Sequence, residues 1–305
     1  MRRSIPTPRR PSLIALAILS TLTLACGSST STGGAGGEAG QGGSGGSTDP
    51  SFKSCMLNDD GPGPTGPLDL DVEVVANGLE VPWGLGFLPN GDILVTERPG
   101  RLRLIRDGEV LPAPVLEVEV AEVEVFLGFE GGLLGIALHP EFETNRLFYL
   151  YFTATAEDES VVNRIVRYTL SEDGLSAEVD QVIIDDIPAG GHHQGGRIHI
   201  GPDGLLYAGA GAWEPEQSQD LGNLAGKILR MNLDGSIPDD NPYPNSYIFV
   251  SGIRNTQGFD WFDDDHLLVI DHGPSGLELD MPDLRGLDEI NVAKKGDNLG
   301  WASIW

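Results

Sequence analysis

Four times the chain repeats one order of events: a glycine, an apolar strand, a turn of Pro, Asp or Asn, and a second strand. WGLGFLPNGDILVTERPGRLRLI (83–105) alternates, turns at Pro-Asn-Gly, alternates again, turns at Pro-Gly and alternates a third time. The order returns in LLGIALHPEFETNRLFYLYFT (133–153), GGRIHIGPDGLLYAGAG (195–211) and QGFDWFDDDHLLVIDHGP (257–274). The opening glycines are Gly84, Gly135, Gly196 and Gly258, spaced by 51, 61 and 62 residues. Further strand-like runs are NRIVRYTL (163–170), GKILRMNL (226–233) and DEINV (288–292), and no amphipathic run of helical period competes. Several short strands recurring at such an interval predict the blades of an all-β propeller. A β-sandwich is the other all-β solution, but it does not require one glycine-led unit per interval.

The N-terminus has a different composition. MRRSIPTPRR is basic, and LIALAILSTLTLA (13–25) is an apolar run of 13 residues. That run is too short to cross a bilayer as a helix and suits the core of an export signal. Ala25 before Cys26 resembles a bacterial lipoprotein box, although Thr23 and Leu24 depart from its usual pattern. Residues 1–26 are therefore expected to be a signal peptide ending in an acylated cysteine. The alternative is an ordinary signal peptide, which leaves open a Cys26–Cys55 disulfide in an oxidising compartment. The Arg9–Arg10 pair is a weak twin-arginine candidate because Pro11-Ser12 follows it. Residues 27–67 are rich in Gly, Ser and Pro and read as a linker. Its Gly/Ser part reaches about 25–30 Å, enough to hold a domain off a membrane surface. Residues 68–305 are then the propeller, exported and anchored to the cell envelope or secreted, touching membrane only through the lipid.

The formal net charge is −27. Four of the positive charges, Arg2, Arg3, Arg9 and Arg10, lie in the signal segment, so a processed chain is more acidic still. A nucleic-acid partner is excluded on this ground, because phosphate binding needs a basic surface. A soluble, monomeric domain that can receive divalent cations is compatible with it.

Chemistry concentrates in GGHHQGGRIHIGPDG (190–204). Two titratable side chains sit between glycine pairs, where the backbone is loosest. This is either a catalytic base presented above a rigid sheet or a polar turn that contains histidine. His139 and His199 read as structural, His266 as part of a solvated turn, and His272 carries no assigned chemistry.

Seven stretches, taken in order, decide between these readings. They are VPWGLGFLPNGDILVTER, EGGLLGIALHPEF, HHQGGRIHIGPDGLLY, LAGKILRMNLDGSIPDDNP, SGIRNTQG, DHGPSG and DEINVAKKGDNLGW. From about Gly78 to Trp305 the chain resembles the soluble quinoprotein aldose and sorbosone dehydrogenases, six-bladed propellers that use pyrroloquinoline quinone (PQQ) and calcium. The resemblance implies a catalytic base at His193, quinone contacts at Arg254 and Asn255, and a site-lining Gln257. It implies calcium ligation by the Gly273 and Pro274 carbonyls, a substrate-side Glu130, and Glu289 as ligand of a second, structural calcium. Arg254 would share in catalysis by stabilising charge that develops on the quinone oxygen. The implied reaction oxidises an aldose sugar at C1 to a lactone and passes electrons to an external acceptor.

Two departures from the family pattern bear on this. Where relatives carry an acid that orients the catalytic imidazole, this chain has Ala212, in GAGAWEPEQ. Glu214 or Glu216 is the candidate substitute, and restoring a carboxylate at 212 is expected to raise turnover. The lost acid also keeps open a non-catalytic binding module; a calcium-dependent lactone hydrolase is the other alternative. The second departure is length. Relatives continue for roughly two further blades, which implies that the propeller is incomplete at its C-terminus and that these residues are a fragment.

Overall fold

A computed structural model describes residues 71–124, 128–275 and 287–303. The expected export signal and linker, with Cys26 and Cys55, lie outside the described residues. All the described residues belong to one compact unit, Leu70–Trp305.

The glycine-led units are four antiparallel sheets in a propeller arrangement. Blade one is β1 (Pro82–Phe87), β2 (Ile93–Glu97), β3 (Arg101–Arg106) and β4 (Glu109–Val110), with β5 (Leu116–Glu117) also paired to β3. Blade two is β6 (Leu133–Leu138), β7 (Leu147–Thr155), β8 (Val161–Leu170) and β9 (Ala177–Pro188). Blade three is β10 (Ile198–Ile200), β11 (Leu206–Ala210), β12 (Lys227–Met231) and β13 (Ile248–Val250). Blade four is β14 (Thr256–Trp261), β15 (Leu267–Asp271) and β16 (Glu289–Ala293). Each blade is a meander, because turns such as Pro89-Asn90-Gly91 and Pro202-Asp203-Gly204 close hairpins.

The apolar cores lie between blades. Leu94, Leu102 and Leu104 of blade one pack with Leu133, Phe148 and Leu150 of blade two. Tyr149, Tyr151 and Ile165 then meet Leu206, Leu229 and Met231 of blade three. Tyr207, Ile228 and Val250 meet Phe259, Leu267 and Val269 of blade four. A strand covered on both faces has no need to alternate, and every residue of β11 and β12 is accordingly buried. Lys227 and Arg230 are the polar members of β12. Burial pushes the Lys227 ammonium down to about 8, and its Nζ donates to the Gln217 and Ala225 carbonyls at 2.7 and 2.8 Å.

Three of the four repeated glycines, Gly84, Gly135 and Gly196, have a steric cause, whereas a Cβ at Gly258 would meet only an ordinary contact with Ile270. The first strands of neighbouring blades approach so closely that a Cβ at Gly135 would run into the Gly196 carbonyl of the next blade. Between blades one and two the approach is sealed by Thr96. Its hydroxyl donates to the Leu134 carbonyl at 2.6 Å and accepts the Gly84 amide at 2.8 Å.

Two expectations change. His266, read as part of a solvated turn, is 7% exposed, and its Nδ1 lies 2.6 Å from Asp263 Oδ1. The turn is there, but the ring folds back under it. The twelve-residue β9 was not singled out from sequence, since AEVDQVIIDDIP is too polar to announce a strand. It is an outer strand paired only to β8, so half its side chains face water.

Because the obstacle at Gly135 is a backbone carbonyl, which cannot rotate away, Gly135→Ala is expected to destabilise the domain by about 1–3 kcal/mol or more. Urea unfolding measures this. An unchanged midpoint would mean that the blades have room to part.

Candidate functional site

The innermost strands β1, β6, β10 and β14 converge on a cleft of about 360 Å³, lined by Trp83, Arg98, Glu130, Asn255, Gln257 and His272 among others. Each of these comes from the end of a strand or from an adjoining loop, as expected for chemistry carried on a rigid scaffold.

His193 is held on the loop that leads into β10. Its φ is +62°, in the left-handed region that a residue with a Cβ seldom adopts. Three contacts hold it there. Its amide donates to Glu130 Oε2 at 2.8 Å. The carbonyl of the next residue, Gln194, accepts the buried Tyr151 hydroxyl at 2.9 Å. The ring Nδ1 lies 2.9 Å from the Ala212 carbonyl oxygen. A carbonyl only accepts, so Nδ1 carries the proton and the lone pair is on Nε2. Burial, then the positive charge of Arg254, pushes the imidazole down to about 4, so it is neutral at physiological pH.

The missing acid at 212 is thereby replaced by backbone. A Cβ at Gly211 would strike the His193 carbonyl, so glycine there allows the two segments to approach. The proposed substitutes do other work or none: the Glu214 side chain caps the 3₁₀ turn Pro215–Ser218, and Glu216 is exposed. His192 stacks on Trp213, with ring centroids 5.5 Å apart and planes 9° apart.

Behind this contact lies a residue that sequence reasoning passed over. Asp271, at the end of β15, is 5% exposed. Its carboxylate accepts the Arg254 amide at 2.9 Å and the Asn255 amide at 2.6 Å. Burial nevertheless pushes its carboxyl up to about 6. The Arg254 carbonyl in turn accepts the Ala212 amide at 2.8 Å. Asp271 thus fixes the peptide between Arg254 and Asn255, that peptide fixes the Ala212 backbone, and the Ala212 carbonyl meets His193 Nδ1. Asn255 adds a second tie, because its Oδ1 accepts the Gly195 amide at 3.1 Å.

The Arg254 guanidinium is buried. Its Nη1 donates to the His272 carbonyl at 3.0 Å, its Nη2 to Ser275 Oγ at 3.1 Å, and the Trp301 ring lies 5.3 Å from its Cζ. His272 therefore has a task after all: its carbonyl anchors Arg254, and its Nδ1 lies 3.2 Å from Nη1. Gln257 is exposed at the cleft. The structure thus brings His193, Glu130, Asn255 and Gln257 to one place.

Gly273, Pro274 and Glu289 line a separate small cavity of about 40 Å³ with Asp271 and Arg254. The resemblance assigned these residues to two different calcium ions, yet they share one cavity. No group of three or more His, Cys, Asp and Glu side chains among the described residues is placed to hold a metal. A cation here would depend on backbone carbonyls beside the two carboxylates, a donor set of hard oxygens that fits calcium. The main cleft likewise fits a flat polyanionic ring. Trp83 offers an aromatic face, Arg98 a positive charge, and Asn255 and Gln257 amide donors.

Comparison with known proteins gives a consistent picture. The profile of the Glucose / Sorbosone dehydrogenase family matches residues 79–305. Aldose sugar dehydrogenase YliI of Escherichia coli is 35% identical over 248 residues, covering 77% of this chain and 62% of that protein. Quinoprotein glucose dehydrogenase B of Acinetobacter calcoaceticus is 32% identical over 268 residues, covering 77% of this chain and 53% of that protein. The PQQ-bound form of the aldose sugar dehydrogenase from Streptomyces coelicolor matches with a TM-score of 0.66 at 38% identity, over 76% of this chain and 65% of that one. The chain spans 53–62% of the length of these two curated relatives.

The carbonyl contact reverses one expectation. Ala212 is 2% exposed and its backbone already holds the imidazole, so Ala212→Asp is expected to lower the melting temperature without raising turnover. Thermal denaturation and steady-state kinetics of the variant check both halves. A faster enzyme of unchanged stability would show that the carbonyl holds the ring poorly.

Proposed function

The chain belongs to the glucose/sorbosone dehydrogenase family, and on that premise we propose that it is a quinoprotein that oxidises aldose sugars at C1 to lactones. The observation that carries this reading is the His193 ring, neutral and fixed through Nδ1 by the Ala212 carbonyl, beside a cleft lined by Glu130, Asn255 and Gln257. PQQ, bound with calcium, supplies the hydride acceptor. Residues of this chain do the rest. His193 Nε2, which holds the lone pair, takes the proton of the C1 hydroxyl as the C1–H bond breaks. Glu130 fixes the His193 backbone and lies on the substrate side of the same cleft. Arg254 places a buried positive charge beside the residues that would face the cofactor. Asn255 and Gln257 offer amide donors, and Gly273 and Pro274, with Glu289 nearby, offer oxygen to calcium. Electrons leave to an external acceptor. The export signal and Cys26 support a location at the cell envelope, held there by a lipid.

A non-catalytic scaffold was the rival reading, and it rested on the absent acid at 212. The carbonyl of that residue supplies the orientation the acid would have given. The main reading is tested by adding PQQ and Ca²⁺ to the protein and assaying dye reduction over a panel of aldoses. Sugar-dependent reduction is the expected result, and its absence with both present would contradict the reading. Loss of the base should slow the reaction by about 10²–10⁴-fold in His193→Ala. PQQ affinity, followed by fluorescence titration, should stay unchanged, since the base acts on the sugar. Equal losses of affinity and rate would assign His193 to the cofactor instead.

A further inference from the structure

The cleft holds a cation whose charge the reading above assigns to no particular group of a ligand. Arg98, just after β2, is half-buried and lines the cleft with Glu130, Asn255 and Gln257. Its Nη2 donates to the Phe129 carbonyl at 2.6 Å and its Nε to the Gly131 carbonyl at 3.3 Å. Both acceptors are neutral, and Nη1 has no partner among the described residues. Arg197 is held in a similar way. Its guanidinium reaches the Gln257 carbonyl at 3.4 Å and lies 4.4 Å from the centre of the Trp83 ring. Trp83 and Gln257 both line the cleft.

Most arginines that pair with a carboxylate lie elsewhere, although Arg146, away from the cleft, is also held by carbonyls and by the Phe142 ring. Arg101, Arg106, Arg167 and Arg230 each have a carboxylate oxygen within 2.9 Å. With a net charge of −27, carboxylates are plentiful. Yet Arg98 and Arg197 form no ion pair among the described residues, and dipoles hold them instead. Glu130 shares the cleft with Arg98, but its Oε2 accepts the His193 amide. Arginines held by neutral groups keep their charge uncompensated, and a planar guanidinium with an open nitrogen matches a carboxylate.

Building on the quinoprotein reading of the site, we propose that Arg98, supported by Arg197, forms a carboxylate-binding subsite of the cleft. The carboxylate has two possible sources, one borne by the quinone or one borne by an acidic sugar. The competing role for Arg98 is that of a buttress, because Phe129 and Gly131 flank Glu130.

The test is tryptophan-fluorescence titration of the full chain with Ca²⁺, as wild type, Arg98→Gln and Arg98→Lys. Four probes are used: PQQ, its trimethyl ester, glucuronate and glucose. Arg98→Gln is expected to weaken a carboxylate-bearing probe about tenfold or more and to leave its uncharged counterpart unchanged. Arg98→Lys should recover part of the loss. A loss confined to PQQ over its ester identifies the cofactor as the source, and one confined to glucuronate over glucose identifies the sugar. Equal losses for charged and uncharged probes would reduce Arg98 to a buttress and overturn the proposal, as would no change for any probe. Wild type that binds no PQQ, yet prefers glucuronate through Arg98, would keep the subsite and overturn the quinoprotein reading. Wild type that binds none of the four would overturn both.

Discussion

Asp271 is the residue on which the site depends. A carboxylate in an apolar interior is unfavourable unless donors meet it, and here the amides of Arg254 and Asn255 do so. Those two bonds fix the turn that aims Arg254 and Asn255. The turn then passes order outward, through the Arg254 carbonyl to the Ala212 amide and through the Ala212 carbonyl to His193. The path crosses the Ala212 Cα, because that residue's N–H and C=O belong to different peptide groups, so what reaches the imidazole is position rather than polarisation. The arrangement orients the imidazole through backbone while the acid stays in the core.

The scaffold makes this possible. Apolar clusters between successive blades leave little freedom at the ends of the innermost strands, where the cleft opens. The loops at those ends can therefore hold unfavourable geometry. His193 keeps a left-handed backbone because Glu130, Tyr151 and Ala212, from two blades, each constrain its loop. Strain of this kind persists only where its surroundings over-determine it.

Much of the fold was legible in the sequence, and for a physical reason. Blades one to three approach closely at their first strands, which calls for Gly84, Gly135 and Gly196, and turn residues recur with them. His193 and Glu130, which the structure brings into contact, could be singled out as candidates because side chains carry their chemistry in their identity. Ala212 misled for the opposite reason: its contribution is a carbonyl oxygen, which every residue owns and no residue type reveals. Asp271 was hidden in VIDHGP as the end of a strand, since nothing in the letters tells a buried carboxylate from a solvated one. Arg98 was equally hidden, because what marks it is the lack of an acidic partner among the described residues, and pairing is visible only in three dimensions. His266 was read from its acidic neighbours as wet, while the turn folds it under.

The central claim is that the His193 ring is neutral with its proton on Nδ1, placed there by the Ala212 carbonyl. Imidazole ¹⁵N NMR of the protein, with His193 assigned through His193→Gln and recorded across pH, tests this directly. The account predicts the Nδ1–H tautomer at neutral pH and a protonation midpoint near 4, below the ordinary 6.5. An Nε2–H tautomer, or a midpoint at the ordinary value, would contradict it.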